Sequence, residues 1–141
     1  MEAKEGTLYR SDDRGETFRQ VSKEARIVSR GFYYTTVRVD PTNENRVYGV
    51  ASGLFVSIDG GKSFRSITGR THIDYHALWI DPKNPKRIWQ GQDGGIAVSH
   101  DAGESWEYVN NIPLGQFYQI HIDNRFNERG KPPFPTEHFP D

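Results

Sequence analysis

An all-β fold of repeated four-stranded antiparallel blades, forming part of a β-propeller, is predicted by three observations in this 141-residue sequence. The pattern Ser-x-Asp-x-Gly-x-(Ser/Thr)-(Phe/Trp) occurs three times, as Ser11 to Phe18, Ser57 to Phe64 and Ser99 to Trp106. The copies start 46 and 42 residues apart, a period at which each repeat is one small supersecondary unit. Between them lie short runs of aromatic and β-branched residues, punctuated by Gly, Pro and Asn.

Taken in order, Thr7 to Arg10 lead into the first box and Phe18 to Val21 leave it, which makes a hairpin. Ser22 to Arg30 are polar and charge-mixed without apolar periodicity, so they form a loop. Phe32 to Asp40 is a strand dense in aromatic and β-branched residues, Pro41 to Asn45 a turn, and Arg46 to Ala51, Leu54 to Ser57 and Phe64 to Ile67 are further strands. The plan then repeats, with Leu78 to Trp89 matching Val37 to Tyr48 position for position. The third box follows Asp81 by 18 residues where the second follows Asp40 by 17. One residue is therefore inserted near Asp93-Gly94-Gly95, as a bulge or a looser hairpin. A third start appears at Phe117 to Asp123, and four prolines in the last ten residues then favour an extended tail. The expected organisation is a propeller fragment over 1–124, with a half blade at 6–21, blades at 32–68 and 75–109, an opening strand at 116–123, and a Pro-rich tail at 125–141.

Each box reads as a clasped turn. Asp13, Asp59 and Asp101 accept hydrogen bonds from backbone N–H groups, while Gly15, Gly61 and Gly103 take a positive φ at no steric cost. The leading Ser11, Ser57 and Ser99 and the closing Phe18, Phe64 and Trp106 complete the pattern, and each aromatic is expected to be buried under its loop. An EF-hand-like calcium loop fails on ligand count, because the copies have only one to three carboxylates and lack the terminal bidentate Glu.

Composition fits many short strands joined by tight turns. Only 34% of residues are hydrophobic, against roughly 45–50% apolar in average domains, and 13% are aromatic. A formal net charge of −1 with scattered basic residues gives no field to draw nucleic acid or an anionic membrane. No apolar run approaches the roughly 18 residues of a membrane span, and the first residues lack the apolar core of a signal peptide. The absence of cysteine excludes disulfides and thiolate zinc sites and leaves the compartment open.

These motifs resemble the Asp-box, or bacterial neuraminidase repeat, β-propellers, a group that includes sialidases, sortilin-type luminal domains and a photosystem II assembly factor. The chain is most similar to the large secreted bacterial repeat proteins of that group with glycosyl-hydrolase names. The resemblance is carried by His76 to Pro82, Gln92 to Gly95, Ser99 to Trp106 and Gln116 to Tyr118. It implies a secreted or periplasmic setting and a ring of six or more blades. This chain holds fewer than three, so two copies completing a six-bladed homodimer are one expectation, since an open sheet edge invites pairing, and a domain excised from a longer chain or held within a larger complex is the other.

Candidate chemistry lies at the aligned strand starts Tyr33-Tyr34-Thr35, Asp74-Tyr75-His76 and Gln116-Phe117-Tyr118, which would face a central channel. Tyr34, Tyr75 and Phe117 form an aromatic column, read first as core packing and second as part of a ligand site. His72, Asp74 and His76 could ligate zinc, although on a strand their Cα atoms stand roughly 6.5 Å apart per step and a turn must bring them together. Asp40, Asp81 and Asp123 end strands and read as turn caps. Neither an arginine triad of the sialidase kind, nor a Gly-x-Ser-x-Gly elbow, nor a phosphate-binding Gly loop is present. The sequence therefore favours a non-catalytic interaction module without cofactor, binding a protein partner or a second copy. The alternative is a carbohydrate-binding or sialidase-related hydrolase domain, with Trp79, Trp89 and Tyr108 as stacking platforms.

Overall fold

Residues 8–29, 31 and 33–111 are described by the computed structural model. Strands β1 (Leu8–Arg10) and β2 (Arg19–Ser22) form a hairpin, followed by a short 3-10 helix, Ala25–Val28. A four-stranded sheet follows from β3 (Thr36–Asp40), β4 (Asn43–Val50), β5 (Leu54–Ser57) and β6 (Arg65–Ser66). A second four-stranded sheet contains β7 (Tyr75–Ile80), β8 (Ile88–Gln92), β9 (Gly95–Ser99) and β10 (Glu107–Tyr108). In both sheets sequential strands are neighbours and all pairing is antiparallel, so each is a meander that closes its own hydrogen bonds.

Sequence pattern decides how each sheet is covered. In the first four-stranded sheet the last four residues of β4 and all of β5 are buried, because neighbours sit on both faces. One face packs Val47, Phe55 and Phe64 against Ile27 of the 3-10 helix and Leu8 of the hairpin. The other packs Tyr48, Val50, Leu54, Val56 and Ile67 against Tyr75, Leu78, Ile80 and Ile88 of the next sheet, with Trp106 alongside. In the second sheet β7 and β8 largely alternate buried and exposed residues, as strands covered on one face do.

The inserted residue has a definite structural outcome. Across β4 and β5 the last pair is Val50 with Leu54, leaving a three-residue loop, whereas β8 and β9 continue to Gln92 with Gly95 over the two-residue turn Asp93-Gly94. The irregularity falls on the partner strand: between Tyr75 and Ala77 the register shifts, and His76 is the bulged residue. The strand expected from Phe32 begins at Thr36, and the loop expected over Ser22 to Arg30 contains the 3-10 helix, whose Ile27 is anchored in the core.

In every box the serine hydroxyl is the hub. Ser57 Oγ accepts from Gly61 N at 2.8 Å and donates to Asp59 Oδ1 at 2.7 Å, and Asp59 Oδ1 accepts from Lys62 N and Ser63 N at 2.9 and 3.0 Å. Ser11 and Ser99 repeat this towards Gly15 and Gly103, each at 2.7 Å. The closing aromatics differ from expectation: Phe64 is 8% exposed but Phe18 is 65% exposed. The reason is that the platform for each box belongs to the preceding sheet. Trp106 Nε1 donates to Ile67 O at 2.7 Å, and a Cβ at Gly103 would stand 2.7 Å from Ile67 Cδ1. A Cβ at Gly61 would likewise stand 2.6 Å from Leu8 Cδ2, so close approach as well as positive φ selects glycine. Among the described residues no sheet precedes the first box, and Phe18 has nothing to press against.

Candidate functional site

The connection from β6 to β7 ends on Asp74, whose φ of +65° is a left-handed conformation that Asp tolerates better than most residues. Asp74 N donates to Ser52 O at 3.0 Å, which ties this turn to the β4–β5 loop. The sharp turn, together with the bulge at His76, re-aims side chains that an extended strand would set in one row. Tyr34, from the segment before β3, then donates its hydroxyl proton to Asp74 Oδ1. Its ring lies 4.4 Å from the His76 imidazole, and Tyr33 packs edge-on against both, at 5.2 Å from Tyr34 and 6.1 Å from His76. His76 Nε2 reaches Asp93 Oδ1 at 3.0 Å, on the turn created by the inserted residue.

The result is an open cluster of two tyrosines, an imidazole and two carboxylates at the junction of the two four-stranded sheets. Tyr33, His76 and Asp93 are exposed, whereas Tyr34 and Asp74 are half-buried. The arrangement offers flat apolar surface beside hydrogen-bonding groups, the combination that binds the ring faces and hydroxyls of a sugar.

Other sequence candidates go elsewhere. Tyr75 is buried, bonded through its hydroxyl to Thr71 and Thr68, and burial pushes its phenol up from the ordinary value. His72 turns its Nδ1 to Ile73 O at 2.8 Å, and its backbone N–H donates to Tyr108 Oη at 2.7 Å. Tyr108 also accepts from Gln92 Nε2 at 3.2 Å. Thus His72 does not join Asp74 and His76, and among the described residues no group of three or more His, Asp and Glu is placed to hold a metal ion. Phe117 and Asp123 lie outside the described residues. Asp40 accepts from Thr42 N at 2.8 Å and Asp81 from Lys83 N at 2.8 Å and Arg87 Nε at 2.9 Å, so both cap turns. Tyr33 was named only as the neighbour of Tyr34 at an aligned strand start, and Asp93 was not singled out as a site residue. The one-residue insertion at Asp93 was the signal for the latter.

Comparisons with known proteins bear on the fold that holds this cluster. The chain superimposes on an ancestral GH74 enzyme with TM-score 0.57 and 20% identity, covering 74% of this chain and 15% of that one. It superimposes on the GH74 xyloglucanase of Xanthomonas campestris with TM-score 0.58 and 20% identity, covering 77% of this chain and 20% of the other. The chain has a β-propeller fold. In this propeller frame the four-stranded sheets are blades, and the cluster lies where two blades start side by side. In sequence, 70 residues, 45% of the chain, are 34% identical to an oligoxyloglucan-reducing end-specific xyloglucanase of Emericella nidulans. The chain spans 9% of that enzyme's length. No known family profile matches the chain.

Proposed function

We propose that this chain is a glycan-binding part of a glycoside-hydrolase-like propeller of the Asp-box type, and that it takes a β-glucan of the xyloglucan class at the blade junction. The observation that carries the reading is the cluster of Tyr33, Tyr34 and His76 flanked by Asp74 and Asp93. A pyranose stacks its C–H face on an aromatic ring, and its hydroxyls pair with carboxylates and imidazole nitrogens. The names of the similar enzymes point to the same substrate class. Hydrolysis needs two carboxylates at a set separation across the scissile bond. Because the chain spans so little of the enzymes it resembles, the reading assigns to it the holding of the glycan.

Titration calorimetry with xyloglucan oligosaccharides, and with sialyllactose for comparison, tests this. Binding of the β-glucan should weaken about tenfold or more in His76→Ala and in Tyr33→Ala, a loss of about 1.4 kcal/mol each. Absence of β-glucan binding at millimolar ligand, or affinity unchanged in both variants, would overturn the reading.

A further inference from the structure

We infer that the glycan site continues across the Asp93-Gly94-Gly95 turn into a second subsite, where His72 and Tyr108 hold a further sugar unit of the same β-glucan chain. The inference rests on the reading of the Tyr33 and His76 cluster as the first subsite.

The hydrogen bonds around the turn decide what this second subsite offers. Gly94 N is a donor, so the end of the Gln92 amide that it meets at 2.5 Å is Oε1, and the other end, Nε2, donates to Tyr108 Oη at 3.2 Å. The His72 N–H donates to the same oxygen at 2.7 Å. With both lone pairs of Oη taken, the phenol keeps its own proton to donate, and among the described residues no group accepts it. His72 supplies the complement. Its Nδ1 lies 2.8 Å from Ile73 O, which can only accept, so the neutral ring carries its proton on Nδ1 and presents Nε2 as an acceptor. A donor and an acceptor side by side suit sugar hydroxyls, each of which both donates and accepts. An apolar partner covering the pair would leave both groups unsatisfied.

Both residues belong to the junction between the two four-stranded sheets. Tyr108 pairs with Ala97, Ala97 with Gln90 and Gln90 with Leu78, so the four share the face that packs on the preceding sheet. Tyr108 is 39% exposed there, and His72 is exposed beside it. The turn joins this pair to the first cluster. Asp93 Oδ1 stands 3.0 Å from His76 Nε2, and a Cβ on the next residue, Gly94, would come within 2.7 Å of His72 Cβ. Consecutive residues of one turn thus touch both clusters. Gly95 follows with φ +125° and open space where its Cβ would stand, so no side chain rises from the turn between Asp93 and Ile96. Bare backbone of this kind lets a ligand lie close across it.

NMR of the histidine Cε1–H signals of the full chain, titrated with cellobiose and with a xyloglucan oligosaccharide, tests the inference. The His72 signal is assigned by its loss in His72→Ala, and that of His76 by its loss in His76→Ala. Cellobiose should shift His76 alone, and the oligosaccharide should shift both. His72→Ala, which leaves the backbone bond to Tyr108 in place, should weaken the oligosaccharide about three- to tenfold and leave cellobiose unchanged. Tyr108→Phe should do the same, with the cellobiose response of His76 showing that the fold is intact. A His72 signal unmoved by the oligosaccharide while His76 responds, or unchanged oligosaccharide affinity in both variants, would overturn the second subsite and leave the first standing. Equal losses for the two ligands in His72→Ala would likewise overturn it, because His72 would then act on the first cluster. If neither ligand moves either signal, the glycan reading itself falls, and the second subsite with it.

Discussion

Ser57 and Ser11 make the same three hydrogen bonds in loops of the same sequence pattern, yet their surroundings differ. Ser57 and the Gly61 N–H it satisfies are buried, while Gly15 beside Ser11 faces solvent. Removing the hydroxyl at Ser57 leaves a buried donor without a partner, which costs about 1–3 kcal/mol, whereas water can replace Ser11. Chemical denaturation should therefore show Ser57→Ala destabilising by about 1–3 kcal/mol and Ser11→Ala by under about 1 kcal/mol. At this scale the sequence was readable for turns and silent on exposure: the box pattern prescribes its own bonds, but burial depends on what lies across the blade. Gln90 shows the same limit. It sits in a run, Ile-Trp-Gln-Gly-Gln, that reads as strand, but nothing local tells that its amide is fully buried without a hydrogen-bond partner among the described protein groups.

At the scale of elements, the aromatic that closes each box acts as a wedge between blades. Phe64 fills a cluster with Ile27, Val47 and Phe55, so Phe64→Ala should lower stability by about 3–5 kcal/mol in denaturant unfolding. Phe18→Ala, at a site already open to solvent, should change it by no more than about 0.5 kcal/mol. Equal losses in the two variants would contradict the wedge. The repeat that joins Asp40 to Asp81 was legible in the sequence, and with it the existence of the second set of strands. The candidate site was only half legible. Tyr34, Asp74 and His76 were visible as aligned strand starts, but their convergence depends on the left-handed turn at Asp74 and the bulge at His76, neither of which the local run of residues announces.

For the whole molecule, the three box carboxylates make stability depend on acid. The Thr17 hydroxyl, with the Thr17 and Ser11 groups beside it, holds Asp13 down at about 2, and the Ser105 hydroxyl does the same for Asp101, also at about 2. The Ser63 hydroxyl and backbone hold Asp59 well below the usual carboxylate range. Each folded value is lowered, so the stabilisation is present above the unfolded value of about 3.9 and is lost as pH falls through the folded value. Circular dichroism against pH should show a fold insensitive to pH above about 5 and unfolding between about pH 4 and 2. Ser63→Ala, which removes the largest cause at Asp59, should move that transition to higher pH. An unmoved midpoint would show that the clasp does not set acid stability.

The dependence of each box on the blade before it also gives the stack a direction in time. When Trp106 leaves the ribosome, Ile67 and the sheet that carries it have already emerged, and the same holds for Phe64 and Leu8. Domains form from the amino end during synthesis, so Phe64 and Trp106 each meet a seat that has already been made. Nascent chains arrested after Ile67 has cleared the exit tunnel should thus resist protease through the blade of β3 to β6, while the same residues made without the preceding hairpin should remain cleavable.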